Sequence, residues 1–332
     1  MAVGVAIPCF PPTIRGSEVN RRALVLGANG FLGWAACLQL MEAGWQVVGF
    51  DKNWDVRRPT EASADKALEV HEASVFDREA LRSAMKGADA VFCFLSFTIP
   101  ATTPGFLQVE LQTTLQALEN VLATMVEVGA HRVVFPSSGG TIYGDMGKRP
   151  ARESDVLRPL SSYGVGKLLS EHMILFYARV HMIKFTIMRV SNAYGASRIH
   201  RTSQGLIDVS LERLLRGDTP ALWGNADHVR DFVFIDDVLE AMLRLLELKQ
   251  PESLIVNVGT GVGSTLREVL SVIERVAGVA INWRHEHGFY AGIPYSALDT
   301  GLLRSLTGWA PSYTLEEGIR EAWRRKSLAG GV

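Results

Sequence analysis

A tyrosine and a lysine four residues apart are the side chains of this sequence best suited to move a proton. Tyr163 and Lys167 stand in the run Tyr-Gly-Val-Gly-Lys, and residues four apart share one face of a helix. A phenol with a pKa of about 10 is a poor base at neutral pH, but a neighbouring ammonium stabilises its phenolate. We interpret Tyr163 as a base supported by Lys167; the alternative is an ordinary surface helix face. Gly164 and Gly166, each costing about 1 kcal/mol in a helix, favour a close approach by cofactor or substrate.

A serine-rich turn earlier in the chain supplies candidate hydroxyl groups. Ser137 and Ser138 follow a short apolar run, and two glycines come directly after them. A hydroxyl there can hydrogen-bond the reacting oxygen and share its proton with Tyr163. Ser137 and Ser138 are both candidates for this role. A plain turn of serine and glycine is the structural alternative.

A glycine-rich segment lies near the start of the chain. Gly27, Gly30 and Gly33 are spaced GxxGxxG, directly between an apolar β-type run and an apolar helical stretch. Glycines in this context allow a tight turn, the approach of a pyrophosphate to the backbone, and close packing of the helix on the strand. The helix start, with Phe31 and Leu32, offers N–H groups to phosphates. The pattern predicts a dinucleotide-binding turn.

An acidic residue ends the second apolar run. Asp51 can accept hydrogen bonds from the adenosine ribose hydroxyls and would repel a 2′-phosphate, which favours NAD over NADP. Lys52 adjoins it and is also predicted to border the cofactor, while Lys52 with Arg57 and Arg58 keeps NADP open as the alternative. An exposed acid at a strand end is the structural alternative.

Further cofactor contacts are expected where later strands end. Ser74 and Val75 follow the third apolar run and are predicted beside the adenine, and Leu95 and Ser96 end the fourth run. Strand ends of an open α/β sheet point toward the crevice in which nucleotides bind. Lys167 is also expected to hold the nicotinamide ribose, with Tyr163 beside it.

Apolar runs alternate with helical patterns over the first 190 residues. The runs lie at 23–26, 46–50, 68–70, 90–95, 132–135 and 185–190, with long helical patterns at 106–128 and 162–180. Runs this apolar are typical of parallel strands that are covered on both faces. We predict an α/β fold, a Rossmann-type doubly wound parallel sheet with a smaller C-terminal substrate-binding lobe.

The predicted organisation has three parts. Residues 1–20 form a loose N-terminal extension, and 21–190 form an NAD-binding Rossmann domain that includes the catalytic helix. Residues 191–332 form mainly a substrate-binding lobe, interleaved with late strands of the sheet. The sequence contains no run of 18 or more apolar residues, so we expect no membrane span.

Composition and charge exclude several classes of partner. The 34 basic and 35 acidic residues give a formal net charge of −1. Because they form no basic stripe, we expect neither nucleic acid nor a membrane as partner. The three cysteines are widely spaced, which favours a reducing, cytoplasmic location over a disulfide framework. His285 and His287 lack a third ligand, so we predict no bound metal.

Taken in order, these motifs resemble the extended short-chain dehydrogenase/reductase family, in its NAD-dependent nucleotide-sugar epimerase/dehydratase group. The resemblance runs from Arg22 to about Arg325 and rests on GANGFLG, VVGFD, PSSGGTIYG, YGVGK, RVSNAYG, RDFVFIDDV, NVGTG and GWAPSYTLEEGIREAW. It implies a tightly held NAD, a catalytic set of Ser138, Tyr163 and Lys167, and a homodimer joined through helices that flank the sheet.

The resemblance also implies where a nucleotide-sugar substrate is held. Asn192 in RVSNAYG and Arg230 in RDFVFIDDV match positions that bind the nucleotide diphosphate, and an arginine fork pairs well with phosphate oxygens. A structural salt bridge from Arg230 to Asp231 is the alternative. Two positions depart from the family: Glu110 stands near a place where asparagine is frequent, and Gly166 replaces the usual serine before the lysine.

The residues after Ser138 distinguish the reactions of this group. Members that eliminate water or carbon dioxide typically have acidic residues there, whereas Gly139 and Gly140 follow here. We therefore predict an NAD-dependent nucleotide-sugar epimerase that oxidises one sugar carbon, C4, by hydride transfer and returns the hydride to the opposite face. One alternative is an NAD(P)-dependent reductase or dehydrogenase of a keto-sugar or related small alcohol. The other is a non-catalytic protein that senses the dinucleotide.

Overall fold

The computed structural model describes residues 21–55, 61–63, 66–98, 107–195, 205–248, 253–286 and 293–328. The predicted extension at 1–20 lies outside these ranges, as do Arg57, Arg58 and His287. None of the helices within these ranges combines the length and the apolar character needed to cross a bilayer. Nor do three His, Cys, Asp or Glu side chains within them come together as ligands for a metal ion.

Strands and helices alternate along the first part of the chain. The strands are β1 (Arg22–Leu26), β2 (Gln46–Asp51), β3 (Glu61–Ser63), β4 (Lys66–Ala67), β5 (Glu69–Glu72), β6 (Ala90–Cys93), β7 (Arg132–Ser138), β8 (Lys184–Val190), β9 (Asn192–Tyr194), β10 (Ala221–Trp223), β11 (Val229–Phe234), β12 (Leu254–Val258), β13 (Gly263–Thr265), β14 (Arg284–Glu286) and β15 (Tyr295–Ser296). The helices are α1 (Phe31–Glu42), α2 (Arg78–Met85), α3 (Leu107–Val109), α4 (Gln116–Val128), α5 (Gly139–Ile142), α6 (Ser162–His181), α7 (Leu206–Leu215), α8 (Ile235–Leu246), α9 (Leu266–Ala277), α10 (Gly301–Thr307) and α11 (Leu315–Leu328).

Seven strands form a parallel sheet in the order β12–β8–β7–β6–β1–β2–β5. Strand β1 lies between β2 and β6, so the chain first winds to one side of β1 and then to the other. This is a doubly wound topology, and it confirms the predicted Rossmann-type α/β fold. Its switch point lies at the carboxyl ends of β1 and β6, where such sheets bind ligands.

The two faces of the sheet bury separate apolar layers. Ala23 and Val25 of β1 pack in the layer that contains α1 and α8, whereas Leu24 and Leu26 pack in the layer that contains α2, α4 and α6. All four side chains are fully buried. Because both faces are covered, the strands are apolar throughout instead of alternating with polar residues.

The helical pattern predicted at 106–128 is not one regular helix. Within the described residues it begins with α3, continues as a π-helical segment at Glu110–Leu115, and ends as α4. A π-type turn accommodates one extra residue, which hydrophobic periodicity does not reveal. The segment turns Glu110 and Thr114 inward, and both side chains are buried.

The chain after β8 builds a smaller lobe and also returns to the main sheet. Strand β11 pairs with β9, β13 and β15, and β10 pairs with β14. Strand β12 instead extends the seven-stranded sheet beside β8. Helices α7, α9 and α11 pack against one another.

The last helix is fastened by a buried ion pair. The Nζ atom of Lys326 on α11 lies 3.2 Å from Oδ1 of Asp208 on α7, and both side chains are buried. Asp208 also accepts a hydrogen bond of 3.0 Å from the backbone N–H of Gly195. The pair therefore connects α11, α7 and the loop after β9.

Replacing Lys326 with alanine leaves the Asp208 carboxylate buried without its cation. We expect the free energy of unfolding to fall by about 3 kcal/mol or more, measured by urea denaturation followed by circular dichroism. Lys86→Ala, at an exposed lysine, is the control and should change the free energy by less than about 0.5 kcal/mol. Equal losses in the two variants would show that the ion pair does not stabilise α11.

Candidate active site

The glycine-rich turn after β1 brings backbone segments unusually close together. Gly27 has a φ of +75°, and a Cβ there would lie 3.0 Å from the carbonyl carbon of Phe94. A Cβ at Gly33 would lie 2.1 Å from the carbonyl oxygen of Gly27, so α1 reaches the end of β1 only because residue 33 is glycine. Helix α1 begins after Gly30 with no capping side chain. A helix N-terminus of this kind suits a phosphate group.

Asp51 at the end of β2 fixes the same turn. Its Oδ2 accepts a hydrogen bond of 3.0 Å from the backbone N–H of Asn29, and its Oδ1 accepts one of 3.4 Å from Asn53. The side chain is partly buried, so Asp51 is not merely an exposed acid at a strand end. A carboxylate has about four acceptor positions, which leaves capacity for ribose hydroxyls.

A cavity of about 270 Å³ opens where β1, β2, β5 and β6 end. Eight of the predicted cofactor residues line it: Gly27, Gly30, Asp51, Lys52, Ser74, Val75, Leu95 and Ser96. Of the other predicted residues, Phe31, Leu32 and Gly33 form the first turn of α1, whereas Tyr163 and Lys167 lie outside the cavity lining. The glycine cradle, the uncapped helix start and the carboxylate acceptor fit a dinucleotide such as NAD.

Helix α6 carries Tyr163 and Lys167 on one face, as their spacing predicts. The Nζ atom of Lys167 lies 5.7 Å from the centre of the Tyr163 ring and 4.6 Å from that of Phe135. It donates a hydrogen bond of 3.0 Å to the carbonyl oxygen of Pro136. The lysine is 5% exposed, so it joins the start of α6 to the end of β7 from inside the protein.

Burial dominates the electrostatics of the Tyr163 phenol. Burial, and after it the charge of Glu110, raises the pKa of Tyr163 to about 12, while hydrogen bonds with the side chains of Ser138 and Ser96 lower it. We expected Lys167 to lower the pKa of Tyr163, but in the protein without bound cofactor it does not. Burial also lowers the pKa of Lys167, to about 8. Lys167 is buried and Tyr163 is partly buried, and burial costs the charged form of each group part of its solvation.

Ser138 ends β7. Its side chain acts to lower the pKa of Tyr163, which indicates that the serine lies near the phenol. Ser137 is buried one position earlier on the same strand, and successive residues of a strand face opposite sides. Ser96 is the second hydroxyl at the phenol, and it also lines the cavity described above. The cavity and the catalytic helix therefore meet at Ser96.

The two glycines of α6 are enclosed by the chain's own atoms. A Cβ at Gly164 would lie 2.9 Å from Cβ of Pro159 and 3.0 Å from the carbonyl oxygen of Thr141. A Cβ at Gly166 would lie 2.6 Å from Oε2 of Glu110. The expectation that these glycines admit cofactor or substrate is wrong, because protein groups already occupy the adjoining space. The sequence pattern marks Glu110 as unusual but does not predict its contact with Gly166.

The two residues predicted to hold a diphosphate lie on paired strands, β9 and β11. The Nδ2 atom of Asn192 donates to the carbonyl oxygen of Asp231 at 3.0 Å, and the Cβ position of Gly140 lies 3.6 Å from the same Nδ2. The Nη1 atom of Arg230 donates to the carbonyl oxygen of Val229 at 2.7 Å. Asn192 thus adjoins the turn that follows Ser138. Asn192 pairs with Phe232 of β11, which lies two residues after Arg230.

The Asp231 carboxylate has a role other than the salt bridge to Arg230. It is fully buried and accepts hydrogen bonds from the backbone N–H groups of Thr260 and Gly261 and from the Thr260 hydroxyl. Its side chain therefore holds the glycine-containing loop after β12. Because neighbours on a strand face opposite sides, Arg230 is directed away from this cluster.

The sheet topology and the glycine-rich turn define a Rossmann-type dinucleotide-binding protein. Residues 23–259 match the NAD dependent epimerase/dehydratase family, and the chain belongs to this family. The match confirms the predicted family and the predictions of an enzyme and of NAD as its cofactor.

Individual relatives agree with this assignment. A putative UDP-glucose 4-epimerase of Methanocaldococcus jannaschii is 33% identical over 211 residues, which are 60% of this chain and 65% of that protein. The UDP-glucose 4-epimerase of Mycolicibacterium smegmatis is 28% identical over 321 residues, 92% of this chain and 99% of that protein. The crystal structure of a Thermus thermophilus UDP-glucose 4-epimerase in complex with NAD has a TM-score of 0.78 at 28% identity, and the match covers 94% of this chain and 100% of that one.

Gly33→Ala tests the close contact in the glycine-rich turn. The added methyl group must displace the Gly27 carbonyl oxygen, and overpacking of this kind costs about 1–3 kcal/mol. We expect the Kd for NAD to rise about tenfold or more, measured by calorimetry after copurified dinucleotide is removed. Gly140→Ala adds the same methyl group where the nearest atom, Nδ2 of Asn192, would lie 3.6 Å away, and it should leave the Kd within about twofold. Unchanged NAD affinity in Gly33→Ala would contradict the assignment of this turn.

Proposed function

We propose that this chain is an NAD-dependent nucleotide-sugar epimerase that oxidises and then reduces C4 of the sugar. The observation that carries the proposal is the grouping of polar side chains around the Tyr163 phenol: the Lys167 Nζ atom lies 5.7 Å from the ring centre, and the side chains of Ser138 and Ser96 both lower the pKa of the phenol. Ser96 lines the dinucleotide cavity, so the phenol stands beside the place where a bound dinucleotide ends. The full-length likeness to UDP-glucose 4-epimerases supports the same reaction.

In the proposed reaction Tyr163, as phenolate, removes the proton of the sugar hydroxyl while the hydride of the same carbon leaves. Bound NAD would supply the acceptor for this hydride and, once reduced, its donor to the other face of the keto sugar; its oxidised ring would add positive charge near the phenol. Tyr163 then gives the proton back to the oxygen, so that the cycle consumes neither protons nor electrons. Ser138 hydrogen-bonds the sugar oxygen as its charge develops.

Lys167 supports the phenolate in this scheme and holds the nicotinamide ribose. Lys167 is buried, and its hydrogen bond to the Pro136 carbonyl oxygen holds the ammonium near the phenol. Burial and the charge of Glu110 raise the pKa of Tyr163, so further positive charge from a bound cofactor would favour the phenolate. Proton removal is thereby coupled to the presence of oxidised cofactor.

The surroundings of Ser138 favour epimerisation over elimination. Gly139 packs closely against Leu298: a Cβ at residue 139 would lie 2.5 Å from the Leu298 Cδ1 atom. The next residue, Gly140, adjoins Asn192. The turn after Ser138 therefore presents no carboxylate that could remove a carbon-bound proton. An oxidation and reduction at one carbon needs no such group.

The remaining residues are assigned to binding. We propose that the adenosine and diphosphate of NAD contact the glycine-rich turn, Asp51 and the strand ends, through Gly27, Gly30, Phe31, Leu32, Gly33, Asp51, Lys52, Ser74, Val75, Leu95 and Ser96. We assign the substrate diphosphate to Asn192 and Arg230. The proposed division of the chain is an NAD-binding part at 21–190 and a mainly substrate-binding part at 191–332.

Incubation of the purified protein with UDP-, GDP-, dTDP- and CDP-sugars tests the function. We expect 4-epimerised product with no net change in NADH absorbance, because the hydride returns to the sugar. Tyr163→Phe should lower kcat by at least about 100-fold while NAD binding persists. Net NADH formation or consumption would favour the reductase, and NAD binding without turnover across the sugars would favour the sensor. Near-normal activity of Tyr163→Phe would defeat the assigned base.

We also infer a homodimer in which α4 and α6 form the interface. The two helices pack against each other and present apolar side chains to solvent: Phe176 and Val180, four residues apart on α6, are 57% and 56% exposed, and Val126 on α4 is 40% exposed. Grouped apolar side chains of this kind are typical of protein interfaces.

Phe176→Glu places a charge in the middle of this apolar face. We expect a monomer in size-exclusion chromatography with light scattering, at concentrations where the parent protein is a dimer. Val262→Glu, at an exposed valine in a loop of the other lobe, should remain dimeric. A monomeric parent protein, or a Phe176→Glu variant that stays dimeric, would contradict this interface.

A cytoplasmic location is also inferred. Cys37 and Cys93 are buried free thiols, which suits a reducing compartment. Recovery of the native protein from an extracytoplasmic fraction of its host cells would contradict this location.

A further inference from the structure

Glu110 is a buried carboxyl beside the catalytic helix that the proposed reaction does not use. Its side chain is 1% exposed, and the residue begins the π-helical segment. Its Oε1 accepts a hydrogen bond from the Thr98 hydroxyl. Because that donor is neutral, this contact leaves the charge of an ionised Glu110 uncompensated.

Gly166 provides the space that this carboxyl occupies. A Cβ on residue 166 would lie 2.6 Å from Oε2, 2.9 Å from Cδ and 3.2 Å from Cγ of Glu110. Any other residue at 166 would therefore have to displace the carboxyl group. The glycine lies between Tyr163 and Lys167 on the buried side of α6, so the carboxyl is seated against the turn that carries both.

The electrostatic influence of Glu110 on these two residues has one direction. Its negative charge raises the pKa of Tyr163, where it ranks second to burial. It also opposes the lowering of the Lys167 pKa that burial causes. In return, Lys167 acts against the increase that burial produces in the pKa of Glu110. The charge of Glu110 therefore affects the ionisation of both Tyr163 and Lys167, and the charge of Lys167 affects the ionisation of Glu110.

The other titratable groups that face this pair carry no comparable free charge. Cys93 on β6 faces Lys167, but burial raises its pKa to about 11, so the thiol is neutral at ordinary pH. Glu171 on α6 also acts on Lys167. Its carboxylate is paired with Arg189 on β8, with Oε2 lying 2.7 Å from Nη2. Of these three groups, Glu110 is the one that acts on both Tyr163 and Lys167.

We propose that Glu110, seated in the space left by Gly166, is a positioning residue that acts through Tyr163 and Lys167, and that its negative charge sets the pH range in which this pair works. The kinetic part of this inference rests on the proposed function. The ionisation of Tyr163 itself does not, because it can be followed in the protein without substrate.

The direction of the effect follows from the charge. Tyr163 must lose its proton to act as a base, and a nearby negative charge makes that loss harder. Lys167 must keep its proton, and the same charge makes it easier to keep. Removing the charge therefore moves both ionisations, and both limbs of a bell-shaped rate profile, to lower pH. A purely structural role would change stability or the height of the profile without moving both limbs together.

Glu110→Gln removes the charge and keeps the size of the side chain. In an ultraviolet difference titration of tyrosinate, with Tyr163→Phe as the reference, we expect the Tyr163 ionisation at a pH about one unit lower than in the parent protein. The titration is confined to pH values at which circular dichroism shows both proteins folded. Both limbs of the kcat/KM profile should move by a similar amount, which raises the rate on the acid side about tenfold.

Glu247→Gln is the matched control, because Glu247 is exposed at the end of α8; it should move neither limb. Glu110→Asn, which also removes the charge, takes the place of Glu110→Gln if that variant does not fold. An unshifted Tyr163 titration overturns the inference, whatever the activity. A shifted titration in a protein that turns over no nucleotide sugar supports the role of Glu110 and counts against the proposed function alone.

Discussion

Helix α6 carries two charged side chains, Lys167 and Glu171, into the interior of the protein, and the surrounding structure is organised by the need to compensate them. Glu171 is paired with Arg189 of β8, and both side chains are almost completely buried. Arg189 also donates a hydrogen bond of 2.9 Å to the Tyr143 hydroxyl. Such a pair adds little net stability, but losing one partner is costly. The contact therefore fixes how α6 lies on the sheet.

The geometry of the site follows from that placement. With α6 held against β8 and β7, Lys167 reaches the Pro136 carbonyl oxygen. The side chains of Ser138 and Ser96 act on the pKa of the Tyr163 phenol. The same burial that orders these groups makes the neutral phenol the favoured form. In the proposed reaction such a site gains chemical control, because positive charge supplied by a bound cofactor would favour the phenolate.

Much of this arrangement could be predicted from the sequence, because it depends on local patterns with strong physical causes. The unbroken apolar runs required strands covered on both faces, and Gly33 required a helix packed tightly on β1. The choice between Ser137 and Ser138 was open, since it depends on which way a strand's side chains face at its last residue. The contact between Glu110 and Gly166 could not be predicted. It depends on a π-helical turn that shifts one residue, and periodicity over a long helix does not detect such a shift.

The position of β12 has a consequence for the synthesis of the protein on the ribosome. The strand that completes the sheet beside β8 is Leu254–Val258, although β8 itself ends at Val190. Until β12 has been synthesised, β8 is the edge strand, and its unpaired amide and carbonyl groups can pair with other chains. In the complete protein β12 takes the edge position instead, and α10 packs against it.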